Sequence, residues 1–185
     1  MKNIAAAIFV MIFLCGNVYA QGTGSQIAGG TYFTVYAEGR GDAYAVLSKI
    51  DANFLVYSSG GAQVNDNVSD ILAKTLDGLY QEVSDILDIH IYSFKGKIQV
   101  LPDQRSLSSY FKRTYGFDFE ERSLYYFEKD IIYISLADMT VGMLGHEIAH
   151  AIISHFFVVP PPAKVQEVLC GYVEYSLRKS RGNLP

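Results

Sequence analysis

Cysteine is scarce in this chain of 185 residues, with Cys15 and Cys170 the two examples, so no disulfide framework can staple the fold. Charge is also thin. Lys, Arg, Asp and Glu make up 18% of the residues, the formal net charge is −4, and no basic stripe runs through the sequence. That excludes the electrostatic footprint of a nucleic-acid binder. No uncharged apolar stretch is long enough to span a bilayer as a mature helix. What is abundant is hydrophobic side chain, 50% of the total, which excludes a disordered chain and points to a well-packed globular domain.

The first twenty residues are expected to be an export signal. Lys2 supplies a small positive start, Ile4 to Leu14 an apolar core, and Val18-Tyr19-Ala20 the small residues that a signal peptidase reads. Lipidation at Cys15 is set aside, because Ile12-Phe13-Leu14 before it are bulky where such a site needs small residues. Cleavage after Ala20 would leave 165 residues with net charge −5, a periplasmic or secreted protein without stable membrane insertion. Cys170 then stands alone among apolar neighbours and reads as a small buried side chain.

The organisation expected is a flexible leader over residues 21–30 followed by one domain over 31–185. Strands are predicted at Thr31 to Ala37, Ile89 to Phe94, Ile98 to Leu101, Leu124 to Phe127 and Ile131 to Ser135. Lys95-Gly96-Lys97 reads as a turn between the second and third, and Ser58 to Gln63 as a loop. Asp42 can cap a helix through Ile50. Apolar residues recur at helical spacing from Asp66 to Leu87, and Pro102-Asp103 starts a helix to about Arg113. Asp138 and Thr140 are two candidate caps for an apolar helix from Val141 to Phe157. Pro160-Pro161-Pro162 ends it, and a last helix covers Ala163 to Lys179. The pattern is α+β, with the chemistry in the C-terminal third.

That chemistry centres on His146-Glu147-Ile148-Ala149-His150, which uses two of the four histidines. Imidazoles four residues apart on a helix lie about 40° apart around its axis, so both can address one cation. Glu147 is turned away from that bond but can reach a water beside it as a general base. The flanking residues are apolar nearly all round, so the helix is expected to be buried. There an unpartnered His-Glu-His group would cost several kcal/mol. A metal ion supplies the partner.

A catalytic zinc needs a third protein ligand. His155 falls about 140° round the helix from His150 and cannot serve. The extended histidine signature fails too, since Ile153 stands where it needs glycine and Phe156 where it needs histidine. His90 reads as a structural residue on a strand, with a ligand role as the alternative. Glu167 and Glu174 on the last helix are the carboxylate candidates, seven residues apart and nearly on one face. Glu167 is preferred, because the small residues Cys170-Gly171 beside it would let the helices approach. Glu174 is then an outer partner or the alternative ligand.

With those residues in place, the chain resembles a small gluzincin, the zinc metallopeptidase class with two histidines and one glutamate as ligands. More narrowly it resembles the peptidase-MA-like proteins of bacteria. Their Glu-Gly-x-Ala-x-Tyr run is matched in part by Glu167-Val168-Leu169-Cys170-Gly171-Tyr172, with Val168 in place of the glycine. The resemblance implies a zincin-like fold: a small mixed sheet whose edge strand, here Ile131 to Ser135, lies beside the histidine helix and aligns an extended substrate. It implies one Zn²⁺ per chain on His146, His150 and Glu167, a peptide or protein substrate, and hydrolysis with Glu147 as base. Tyr172 is the motif's candidate for steadying the carbonyl oxygen, with Tyr133 and Tyr175 as competitors. The rival expectation is a zinc-binding domain of the same fold with a binding or regulatory role and no catalysis. Oligomeric state and substrate specificity are not legible.

Overall fold

The computed structural model describes residues 24–39, 41–50 and 67–182. The export signal over 1–20, the loop at Ser58 to Gln63 and the start of the second helix at Asp66 lie outside them. In chain order the described elements are β1 (Ser25–Gly29), β2 (Phe33–Ala37), α1 (Ala43–Ile50), α2 (Val68–Leu87), β3 (Gly96–Leu101), α3 (Gln104–Tyr115), β4 (Ser123–Tyr126), β5 (Ile131–Ser135), α4 (Val141–Phe156) and α5 (Ala163–Ser180). Among the described residues this is an α+β fold with one five-stranded mixed sheet and five α-helices. No helix among the described residues is long and apolar enough to cross a membrane.

The strands lie in the order β1-β2-β3-β5-β4. β2, β3 and β5 run parallel, while β1 and β4 are antiparallel edges. Alternation along the inner strands builds two cores. Ile98 and Val100 of β3 and Ile132 and Ile134 of β5 face α1, α2, α4 and α5. Leu101, Ile131 and Tyr133 face α3, where they pack on Leu107, Tyr110 and Phe111. With both faces covered, every residue of β5 is buried, as expected of a central parallel strand.

Several helix starts follow from side chains that satisfy otherwise orphaned N–H groups. Asp42 accepts from Ala45 N at 2.7 Å, Asp103 from Ser106 N at 2.7 Å, and Thr140 from Met143 N at 3.1 Å. Thr140, the nearer of the two candidate caps, is thus the residue that opens α4.

Four expectations need correction. The leader over residues 21–30 contains a strand at Ser25–Gly29, held by backbone pairing to β2 although Ala28 is its one buried residue. Ile89 to Phe94 form no strand. The Ile91 carbonyl accepts from Tyr80 Oη at 2.9 Å and Phe94 stacks on the Tyr80 ring, so the segment is fixed by side chains. Lys95-Gly96-Lys97 is not a turn, because β3 begins at Gly96. A Cβ there would meet the Phe94 ring at 2.7 Å. Finally, Ile131–Ser135 is not an edge. β4 takes that place, outside β5 in the order of the described strands.

Candidate metal centre

α4 and α5 are joined by a short proline-rich turn and pack along much of their length. Their closeness comes from glycines on α4. A Cβ on Gly145 would sit 2.1 Å from Leu177 Cδ1, and one on Gly142 would sit 3.0 Å from Glu174 Cγ. Gly171, expected to provide the approach, would meet nothing within 4 Å. The far end of α5 is tied to α2 by Arg181, whose Nη1 and Nη2 donate to Glu82 at 3.2 and 2.8 Å.

This packing brings the Glu167 carboxylate over both motif histidines. Its Oε2 is 3.5 Å from His146 Nε2 and its Oε1 is 3.3 Å from His150 Nε2. A tetrahedral ion with bonds of about 2.0–2.1 Å separates neighbouring donors by roughly 3.3–3.4 Å, and each histidine has one Glu167 oxygen near that spacing. The other nitrogen of His146, Nδ1, is buried without a hydrogen-bond partner, and the nearest carboxylate oxygen is Glu174 Oε2 at 3.6 Å. That is too long for a hydrogen bond, yet it places the acceptor a metal-ligating histidine commonly uses to fix its ring. The two glutamates are thus separated by role: Glu167 meets the Nε2 atoms and Glu174 faces the back of His146.

A further donor was not foreseen as such. Cys170 is fully buried, and its Sγ, His146 and His150 each offer a ligand atom within 4.8 Å of the others. Its position one turn after Glu167 was visible in the sequence; what it faces depends on how the two helices meet. Burial pushes its thiol up, and the charges of Glu147 and Glu167 add to the effect.

Glu147 lies inside, 6% exposed, between α4 and the edge strand β4. Ser123 Oγ donates to its Oε1 at 2.7 Å and the Tyr125 backbone N–H donates to its Oε2 at 2.7 Å. Burial raises its carboxyl above the usual range, while His150 and these two donors pull it back. An ionised carboxylate offers about four acceptor sites, so two remain for another proton donor.

Of the other predicted residues, Tyr133, His155 and His90 are placed away from this centre. Tyr133 points to the opposite face of the sheet, its hydroxyl 3.1 Å from that of Tyr115 and 3.4 Å from that of Tyr110, so it cannot steady an oxyanion beside α4. Tyr172 and Tyr175 are exposed on α5. His155 turns away as expected, with Nε2 2.8 Å from Asp130 Oδ1 and 3.0 Å from Tyr125 Oη. His90 pairs with Asp85 at 2.9 Å and follows α2 outside any strand. Comparison of the chain with protein-family models, with curated proteins and with solved structures finds no match.

Proposed function

We propose that this protein is a zincin-like metallopeptidase with the gluzincin ligand set, holding one Zn²⁺ on His146, His150 and Glu167. The observation that carries the reading is the Glu167 carboxylate bridging the two Nε2 atoms at 3.5 and 3.3 Å. The orphaned, buried Nδ1 of His146 supports it, since the ring is poised to donate to Glu174 once its Nε2 is engaged. Bound there, Zn²⁺ would polarise a carbonyl oxygen and make water a stronger acid.

The chain's own residues supply the rest. Glu147, with its carboxyl pushed up by burial, is the better suited to accept a proton. It would accept that proton as the water oxygen bonds to the scissile carbonyl carbon, then pass it to the amine nitrogen as the C–N bond breaks. Ser123 and the Tyr125 N–H hold the carboxylate in one orientation through both transfers. Among the described residues β4 has one side free of strand partners, which suits backbone pairing with an extended peptide. Export to the periplasm or outside the cell belongs to the same proposal and rests on residues 1–20.

The second reading, a zinc domain without catalysis, is favoured by one observation: both oxygens of Glu147 already take hydrogen bonds from β4. Glu147→Gln separates the two. The amide can keep its oxygen on the Tyr125 N–H and turn its NH₂ to the Ser123 hydroxyl, so fold and zinc content should be unchanged. Hydrolysis of a casein or peptide-library substrate should fall at least 100-fold. Full activity in that variant would exclude Glu147 as the base. A wild-type protein that binds zinc and cleaves none of these substrates would favour the second reading.

A further inference from the structure

Glu167 approaches the two histidines from the solvent side, its side chain 60% exposed. Cys170 lies on the buried side, with no exposed surface and no disulfide partner among the described residues. Residues three apart on a helix lie about 60° from each other around the axis, so Glu167 and Cys170 can address one point from the same face of α5. The Cys170 Sγ and a nitrogen of each motif histidine already fall within 4.8 Å of one another. A zinc–sulfur bond of about 2.3 Å is longer than the zinc–nitrogen bond, so the inner donor need not approach as closely as the outer one.

Resting on the zinc reading above, we propose that Cys170 is a fourth protein ligand. The resting centre is then closed, with His146, His150, Glu167 and Cys170 around the ion. On binding, the Cys170 S–H bond gives way to a sulfur–metal bond and the proton passes to bulk water. Sites with four protein donors are of the structural kind, whereas catalytic sites keep one position for water. Turnover therefore requires one arm to let go. The exposed carboxylate of Glu167 is the freer arm, and the thiolate holds the ion while it moves. A soft donor also biases the site towards zinc or cobalt and away from magnesium or manganese.

The test uses the full purified chain loaded with Co²⁺ in place of zinc. A thiolate bound to cobalt gives a sulfur-to-metal charge-transfer band in the near ultraviolet, which nitrogen and oxygen donors do not. Wild type should show this band at one cobalt per chain. Cys170→Ser and Cys170→Ala should lose it while still binding cobalt, with circular dichroism unchanged. Zinc affinity should fall at least tenfold in both. Stoichiometric cobalt without the band in wild type, or a band that survives in Cys170→Ser, overturns the proposal and leaves the zinc reading standing. If wild type takes up no cobalt or zinc, both fail together.

Discussion

Glu147 joins two requirements that usually conflict. It is buried enough for its carboxyl to be raised, yet it is held by two donors that favour the charged form. Cutting it back to Glu147→Ala strands the Tyr125 N–H and the Ser123 hydroxyl, which should cost about 1–3 kcal/mol per unsatisfied group, read as a lower denaturation midpoint. Glu147→Gln should cost far less, and that contrast distinguishes a lost hydrogen bond from a lost base. The two outer carboxylates differ in the same measurable way. Glu167→Ala should weaken zinc binding sharply, whereas Glu174→Ala should cost about 10–100-fold, as for a partner acting through a histidine. The opposite order would move the ligand to Glu174. At this scale the sequence made His146, Glu147, His150, Glu167 and Glu174 legible, because helical spacing fixes which side chains share a face. It could not show that the Cys170 thiol meets the histidines, which depends on how closely α4 and α5 cross. Nor did it show that Tyr133 faces the other core, a matter of which way β5 sits in the sheet.

Between the elements, the close contact of α4 and α5 decides whether Glu167 reaches the histidines at all. A methyl group on Gly145 would meet Leu177 Cδ1 at 2.1 Å, so that buried side chain would have to shift. Gly145→Ala should therefore destabilise the fold by about 1–3 kcal/mol and weaken zinc binding, although it is not itself a ligand. Thermal unfolding and a chelator competition would read the two effects, and a variant with wild-type values in both would show that the helices can part without loss. Helices α1 to α5 were legible from caps and periodicity. β1 was not, since Ser25-Gln26-Ile27-Ala28-Gly29 has the composition of a linker and is made a strand by pairing with β2. Ile89 to Phe94 misled in the opposite sense, because alternating apolar residues can be held by a tyrosine hydroxyl and a ring stack as well as by a ladder.

For the whole molecule, a bound ion that is absent from the unfolded chain adds stability by mass action. Free zinc at 100 times its dissociation constant should add about 2.7 kcal/mol. In a domain of this size that corresponds to a rise in melting temperature of roughly 5–11 °C, reversed by a chelator. An unchanged melting temperature would mean the ion is not bound by the folded state. The arrangement of the chain carries a further consequence, for the order of folding. Every proposed donor lies between residues 146 and 174, in two helices joined by a short turn. The parallel pairing of β2 with β3, by contrast, must bring Phe33 to Gly96 from far along the chain. Local contacts form first because less chain entropy is lost in closing them. If the proposed site binds zinc, the α4–α5 hairpin would take it up before the sheet is complete, while Glu147 gains its orientation only when β4 docks. Refolding followed with a zinc-release dye and a peptide substrate should show metal uptake ahead of activity, and simultaneous recovery would show that the hairpin has no existence of its own.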